Sequence, residues 1–153
     1  MTTQPSGAPA RIDFAFGAPD RVLTACQTAA KRYLAGQRLV VYCSDKARLT
    51  AFDRMLWTFQ DDAFVPHVMM DDPLSSDTAV VMTAGALPPP TPNAEDQLPW
   101  LLNLDDACPP GYEQYARIME IVSDEPADKL AARQRWRTYQ GAGHNLHAHD
   151  LKR

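Results

Sequence analysis

The run Arg38-Leu-Val-Val-Tyr-Cys43 constrains the fold more than any other stretch of the chain. It is almost continuously apolar, and it follows a predicted helix that ends at Gly36. A strand buried on both faces has this composition, whereas a strand with one solvated face alternates apolar and polar residues. The run therefore predicts an inner strand of a parallel sheet that is covered by helices.

Predicted strands and helices alternate along the rest of the chain. Residues 11–16 alternate in polarity and are aromatic, which is typical of a strand, and Asp20 can cap the helix that follows. Elements in this order connect through right-handed crossovers and predict an α/β three-layer sandwich, with a mostly parallel, Rossmann-like sheet flanked by helices. The predicted strands are 11–16, 38–43, 78–83, 100–104 and 117–122, and the predicted helices are 20–35, 46–58, a short one at 112–116, and a last one introduced by Ser123 or Asp124.

The length of 153 residues fits one domain. We expect a single α/β domain over residues 11–146, a disordered N-terminal extension over 1–10 and a flexible tail over 147–153. No apolar run approaches the length of a membrane span, and the start of the chain lacks the pattern of a signal peptide. Three widely spaced cysteines match neither a zinc pattern nor a disulfide framework, which favours a reducing cytoplasm.

The net charge of -4 hides an asymmetry along the chain. Residues 129–153 contain six basic residues and one acidic residue, whereas residues 1–128 contain nine basic and eighteen acidic residues. A protein that tracks a nucleic-acid backbone normally presents a broad basic surface. We therefore expect no direct nucleic-acid binding. The basic C-terminal element favours a local acidic partner, and a basic helix that is simply solvated is the alternative.

The motifs of nucleotide binding and of catalysis are missing. The turn after the first predicted strand has one glycine, Gly17, where the dinucleotide fingerprint needs three, and Pro19 removes a backbone donor. Ser44 lacks the flanking glycines of a nucleophile elbow, and Cys43 is better explained as a small buried hydrophobe. The sequence therefore predicts neither an enzyme nor a bound cofactor.

Two sets of candidate metal ligands are weak. Neighbouring carboxylates in predicted loops are usually solvated surface, and the spaced histidines near the C-terminus have no accompanying carboxylate or thiol. We expect no metal site. The acidic pairs are Asp61-Asp62, Asp71-Asp72 and Asp105-Asp106, and the histidines are His144, His147 and His149.

A basic row is predicted on the last helix, which stops at a glycine-containing corner, residues 141–143. At about 100° per residue, Arg133 and Arg137 fall on one stripe with Lys129, and Trp136 lies at its edge. A basic row beside an aromatic ring suits an acidic peptide with an apolar anchor. A solvated basic face above a core aromatic explains the same composition.

Two blocks of the sequence resemble one family. The first is Lys129-x3-Arg133-x2-Trp136-Arg137-x-Tyr139-x2-Ala-Gly143-x-Asn145-Leu146. The second is Leu56-Trp57 followed by Phe64-Val65-Pro66-His67. Both are similar to the chi subunit of bacterial DNA polymerase III, and with the order of strands and helices the resemblance covers most of residues 11–146.

The resemblance implies a non-catalytic accessory subunit, without cofactor or metal, that bridges two partners in DNA replication. One is the psi subunit of the clamp-loader assembly. The other is the C-terminal tail of single-stranded DNA-binding protein, an acidic peptide that ends in an apolar aromatic residue. The residues implied for psi are Trp57, Phe64, Pro66 and His67, and those implied for the tail are Val122, Lys129, Arg133, Trp136, Arg137 and Gly143. Trp136 stands where the family commonly has tyrosine, and would wall the pocket for the terminal aromatic residue.

Two other classes of function stay open at the level of sequence. A small Rossmann-like nucleotide-binding protein or enzyme would have a phosphate site at the turn after the first strand. A direct binder of single-stranded DNA would use Trp136 and the arginines as a stacking platform.

Overall fold

The computed structural model describes residues 9–58, 64–93 and 95–152. Two short 3-10 turns precede the fourth and sixth strands, at Ser75–Asp77 and Tyr112–Gln114. The remaining elements, in chain order, are β1 (Arg11–Ala18), α1 (Arg21–Leu34), β2 (Leu39–Tyr42), α2 (Lys46–Thr58), β3 (His67–Met69), β4 (Val80–Thr83), β5 (Trp100–Asn103), β6 (Arg117–Ser123), α3 (Pro126–Gly141) and β7 (Asn145–Asp150).

The described strands form one sheet in the order β3-β4-β2-β5-β6-β1-β7, and every neighbouring pair is parallel. Helices α1 and α2 cover one face, where Ala25 and Phe52 pack with Leu102. Helix α3 covers the other face, where Tyr139 packs with Ile12. The predicted α/β sandwich with a Rossmann-like sheet is confirmed, and β2 is an inner strand of the sheet that is buried throughout, as its apolar run predicts.

Local signals in the sequence set the helix ends. The Asp20 carboxylate accepts a hydrogen bond from the Leu23 N–H at the start of α1, and Gly36 adopts a left-handed φ of 82° just beyond its end. Pro126 opens α3, where its missing N–H leaves no helical hydrogen bond unmade. Glu125 precedes α3 as its N-cap residue, so the helix begins one or two residues later than predicted from Ser123 or Asp124.

The sequence pattern does not reveal two of the strands, β3 and β7. Strand β3 has three residues, too few to show a period. Strand β7 pairs with β1 from Asn145 opposite Arg11 to Asp150 opposite Phe16, so the predicted flexible tail over 147–153 is wrong for residues 147–150. Most side chains of β7 are exposed, and the strand therefore lacks the apolar pattern by which a buried strand is recognised.

The disordered N-terminal extension predicted over residues 1–10 includes Ala10, which belongs to the apolar core. Residues 1–8 lie outside the described part of the chain, but Ala10 is fully buried. Its N–H donates to His144 Nδ1 over 2.9 Å. This contact ties the start of β1 to the corner between α3 and β7.

Candidate peptide-binding site

A cavity of about 550 Å³ lies between α3 and strands β1, β6 and β7 of the sheet. We call it the α3 cavity. Its lining comes from β1, β6, β7 and α3, which are brought together because β6 and β7 flank β1 in the sheet. The residues that define it are Phe14, Phe16, Gly17, Val122, Ala132, Trp136 and Ala148, with Lys129, Arg133, Arg137, Asp124, Asp150 and Lys152 among the charged ones.

The floor of the α3 cavity is apolar because neighbouring strands present matched residues to the same face. Phe16 of β1 lies beside Val122 of β6, and Phe14 lies beside Ala148 of β7. In a parallel sheet, residues in register point to the same side. Phe16 is 40% exposed, which leaves an aromatic surface open to a ligand.

Trp136 forms a wall of the cavity above this floor. Its ring centre lies 5.1 Å from that of Phe14, at a tilted angle of 59°. Tyr139, one turn further along α3, is fully buried and packs edge-on against Phe14 at 6.0 Å. An apolar or aromatic group that enters the cavity would meet two aromatic faces.

Lys129, Arg133 and Arg137 stand at the rim of the α3 cavity, and we call them the basic stripe. All three are exposed. In the described part of the chain, no carboxylate forms a salt bridge with any of them, whereas the other α3 arginine, Arg135, is paired with Glu120. The basic stripe therefore presents three positive charges to an acidic ligand, next to the apolar floor of the α3 cavity.

The opposite end of the cavity carries mixed charge. Lys152 Nζ lies 3.0 Å from Asp124 Oδ2, which pairs these two side chains across the cavity mouth. Gly17 lies beneath them with a left-handed φ of 83°, and a Cβ there would come within 3.3 Å of the Lys152 side chain. Glycine at this position therefore keeps the end of β1 next to Lys152 free of a side chain.

The sequence pattern missed three residues of the floor, namely Phe14, Phe16 and Ala148. Phe14 and Phe16 are two residues apart in β1, so the sequence predicts that they share a face of the sheet. The strand pattern does not show which face α3 covers. Ala148 belongs to β7, whose polar composition hides it. The remaining predicted residue, Gly143, lies outside the α3 cavity and forms the corner before β7, with a φ of 87°.

A second exposed apolar surface lies at the other edge of the sheet. Trp57, at the end of α2, is 51% exposed, and Phe64 is 63% exposed. Their ring centres lie 5.5 Å apart, and half-buried Pro66 follows Phe64 by two residues. We call Trp57, Phe64 and Pro66 the Trp57 surface. Exposed aromatic pairs of this kind are enriched in protein interfaces.

His67 supports this surface from below. It is 5% exposed, and its ring centre lies 4.5 Å from that of Trp57. Its Nδ1 lies 2.6 Å from the Val65 carbonyl oxygen, and its Nε2 lies 3.1 Å from an Asp53 carboxylate oxygen. His67 therefore holds the β3 entry against α2, and little of it is available to a partner.

A family model described as "DNA polymerase III chi subunit, HolC" matches residues 10–147. The chain belongs to the DNA polymerase III chi subunit family. A protein named DNA polymerase III subunit chi from Pseudomonas aeruginosa is 32% identical over 133 residues, covering 87% of this chain and 88% of that protein. The protein of the same name from Escherichia coli is 25% identical over 121 residues, covering 79% of each chain. The match includes the Trp57 surface and the basic stripe, whereas Ala148, Asp150 and Lys152 of the α3 cavity lie beyond its last residue. The family makes the chain an accessory subunit in DNA replication.

An arginine side chain crosses the usual ligand crevice of the Rossmann-like sheet in this member of the chi family. Buried Arg21 crosses the carboxyl ends of β5 and β6, donating to the carbonyl oxygens of Ile121 and Asp105 over 2.9 Å. It also pairs with Asp106 and Asp128. The crevice beside it is lined by more carboxylates than basic groups, which disfavours a phosphate ligand.

Residues considered for catalysis or for metal binding make structural contacts. Ser44 Oγ donates to the Asp105 carboxylate over 2.9 Å. Cys43 is fully buried, and this burial raises the pKa of its thiol, which favours the unreactive protonated form. His149 contacts Asp13 at 2.9 Å. Over residues 9–58, 64–93 and 95–152, no group of three or more potential ligands that could hold a metal ion is found.

Among the described residues, no helix is both long enough and apolar enough to cross a bilayer.

Proposed function

We propose that this protein is a non-catalytic subunit that bridges the clamp loader, through the psi subunit, to the acidic C-terminal tail of single-stranded DNA-binding protein. One observation carries the proposal. The α3 cavity combines an open aromatic floor with three positive charges that no carboxylate of the described residues pairs with, and this is the chemistry that an acidic peptide ending in an aromatic residue requires.

The tail would bind with its terminal aromatic side chain in the α3 cavity. There it would contact Phe16 and Trp136, which offer ring faces that are only partly buried. Its terminal carboxylate and aspartates would then reach the guanidinium groups of Arg133 and Arg137 at the rim. Arginine suits this role because its planar group forms paired hydrogen bonds with carboxylates.

The psi subunit would bind at the Trp57 surface. Trp57 and Phe64 present a tilted aromatic pair to solvent, as anchor residues of protein interfaces commonly do. His67, which the family resemblance includes among the psi residues, would act by fixing the orientation of Trp57 from beneath.

The positions of the two surfaces support a bridging role. The Trp57 surface adjoins β3 at one end of the sheet, and the α3 cavity adjoins β7 at the other. Strands are spaced about 4.8 Å apart, so six spacings separate the two edges by roughly 30 Å. This separation is compatible with the binding of two partners at the same time.

A pull-down with the cognate single-stranded DNA-binding protein tests the tail contact. The intact partner should be retained, and a partner that lacks its last residues should be lost. Arg133→Ala should weaken retention, whereas Gln134→Ala, an exposed neighbour on α3, should leave it unchanged. Capture that does not depend on the tail, or that Arg133→Ala leaves intact, would refute the proposed site.

A further inference from the structure

Strand β7 is an edge strand, and no described strand pairs with its outer side. Within the described residues its sole neighbour in the sheet is β1. An exposed edge presents unpaired N–H and C=O groups, which form a template for another extended chain. All side chains of β7 except that of Leu146 are exposed, so no described element shields the strand along its length.

The hydrogen-bond register shows which backbone groups face outward. The Asn145 N–H donates to the Ala10 carbonyl oxygen over 3.0 Å, and the Leu151 N–H donates to the Phe16 carbonyl oxygen over 2.9 Å. In a parallel ladder, alternate residues bond to the same neighbour. Residues 145, 147 and 149 therefore point toward β1, and the backbone groups of Leu146 and Ala148 point away from the sheet.

Ala148 links this free edge to the α3 cavity. Its side chain lies on the cavity floor beside Phe14, while its N–H and C=O face the open side of β7. A peptide that hydrogen-bonds to Ala148 would therefore pass directly beside the cavity. Its alternate side chains would project toward α3, where the cavity can accept one of them.

We propose that the acidic tail peptide binds as an additional β-strand along the free edge of β7, with its terminal aromatic side chain in the α3 cavity. This inference rests on the proposed function and adds the conformation in which the peptide is bound. Main-chain hydrogen bonds to Leu146 and Ala148 supply affinity, and the cavity supplies specificity, which is the usual division in strand addition.

Charge on the α3 face of β7 matches an acidic strand. Arg133 and Arg137 lie on the α3 side of the cavity, where Asp150 of β7 also lies. On the other face, Arg11 and His149 both contact Asp13, so these groups are already engaged. A strand presents successive side chains to opposite faces, so the acidic residues that project toward α3 would meet the two arginines.

The first test uses the unmodified protein and a set of peptides. Each synthetic peptide carries aspartates before a C-terminal phenylalanine and has one backbone nitrogen methylated, at a position that moves along the series. Strand addition predicts that methylation weakens binding at every second position by about tenfold and has little effect at the positions between. Fluorescence anisotropy measures the dissociation constants. A loss of affinity without this alternation overturns the proposal.

The second test changes the protein at Ala148. Ala148→Pro removes the outward N–H and leaves the hydrogen bonds to β1 in place, because the Ala148 nitrogen does not face β1. We expect about tenfold weaker peptide binding. Ala148→Val adds similar bulk to the cavity floor and keeps the N–H, so it is the matched control, and Ala148→Pro should bind about tenfold more weakly than Ala148→Val. Wild-type affinity in Ala148→Pro overturns strand addition.

The outcomes separate this inference from the proposed function. If the unmethylated peptide binds but neither alternation nor an effect of Ala148→Pro is seen, strand addition is wrong and tail binding stands. If the wild-type protein does not bind the unmethylated peptide, the tail-binding function itself fails. If Ala148→Pro does not fold, the methylated peptides decide the question on the wild-type protein.

Discussion

Arg135 Nε donates to Glu120 Oε1 over 3.0 Å, and neither side chain is more than 1% exposed. The other carboxylate oxygen of Glu120 accepts hydrogen bonds from the Tyr139 hydroxyl and the Asn103 amide, each over 2.8 Å. Burial raises the pKa of Tyr139, and the nearby Glu120 charge raises it further. The hydroxyl therefore stays protonated and acts as a hydrogen-bond donor. This network holds α3 on β5 and β6, while the basic stripe on the other side of the helix stays free.

Loss of the Glu120 charge should destabilise the protein strongly. Glu120→Gln keeps the side-chain volume but leaves the Arg135 guanidinium buried without a countercharge. Breaking a buried ion pair in this way costs about 3 kcal/mol or more of unfolding free energy. Denaturant unfolding followed by circular dichroism measures the change. Arg133→Ala, on the exposed side of α3, should change stability by less than about 0.5 kcal/mol, and an equally small effect of Glu120→Gln would contradict the assigned role.

Arg135 shows which features of the fold the sequence predicts and which it does not. At about 100° per residue it falls on the same side of α3 as Ala132 and Tyr139, so a buried location was readable from spacing. Composition argues the other way, because arginine is rarely buried without a partner, and the partner Glu120 lies on β6. Pairing between distant elements of this kind is not visible in a local pattern.

The same limit applies to the sheet and to the candidate site. The apolar run in β2 predicts a buried central strand, because burial on both faces requires such composition. Strand β7 has no equivalent signal, since backbone pairing with β1 holds it, and the contribution of Ala148 to the α3 cavity was therefore hidden. The basic stripe was predicted because helical spacing is local, but only the folded structure shows that no carboxylate of the described residues pairs with it.

The two glycines at the corner between α3 and β7 should respond in opposite ways to alanine. Gly141 is the last helical residue, and Gly143 has a left-handed φ of 87°. A Cβ would meet no atom within 4 Å at either position. The difference in stability between the two alanine variants therefore reports the effect of backbone conformation alone. Gly141→Ala should stabilise the protein by about 0.5–1 kcal/mol, and Gly143→Ala should destabilise it by about 1–2 kcal/mol. Thermal unfolding compares the two variants, and effects of the same sign would contradict this account.

Binding of the acidic tail peptide should weaken with salt. The basic stripe is exposed, and the Debye length falls from about 10 Å at 0.1 M salt to about 3 Å at 1 M. We expect affinity to drop roughly tenfold over this range, since each of the exposed charges contributes up to about 1 kcal/mol. Titrations at several salt concentrations give the slope. Arg137→Ala should reduce the slope and Gln134→Ala should not, whereas a salt-insensitive affinity would exclude the basic stripe as the cause of binding.

Variants at the Trp57 surface should separate binding from folding. Trp57→Ala and Phe64→Ala remove exposed aromatic rings, so each should weaken psi binding by tenfold or more and cost less than about 1 kcal/mol of stability. His67→Ala should instead destabilise the fold by about 1–3 kcal/mol, because removal of the buried imidazole deprives the Val65 carbonyl and the Asp53 carboxylate of their contacts. Calorimetric titration with psi and denaturant unfolding supply the two measurements. Loss of stability in Phe64→Ala to the extent seen in His67→Ala would place the ring in the core.

Acid should weaken the attachment of β7 through Asp13. Burial opposes ionisation of this carboxyl, but hydrogen bonds from His149 and Arg11 and the charge of Arg117 outweigh it and lower its pKa below the usual 3.8. A carboxyl with a lowered pKa in the folded state stabilises the protein above that usual value, and the stabilisation is lost as the pH falls through the folded pKa. Unfolding midpoints should therefore decrease below about pH 4, and Asp13→Asn should be less stable at neutral pH with a smaller decrease in acid. A decrease of the same size in Asp13→Asn and in the wild type would show that Asp13 does not link β7 to β1.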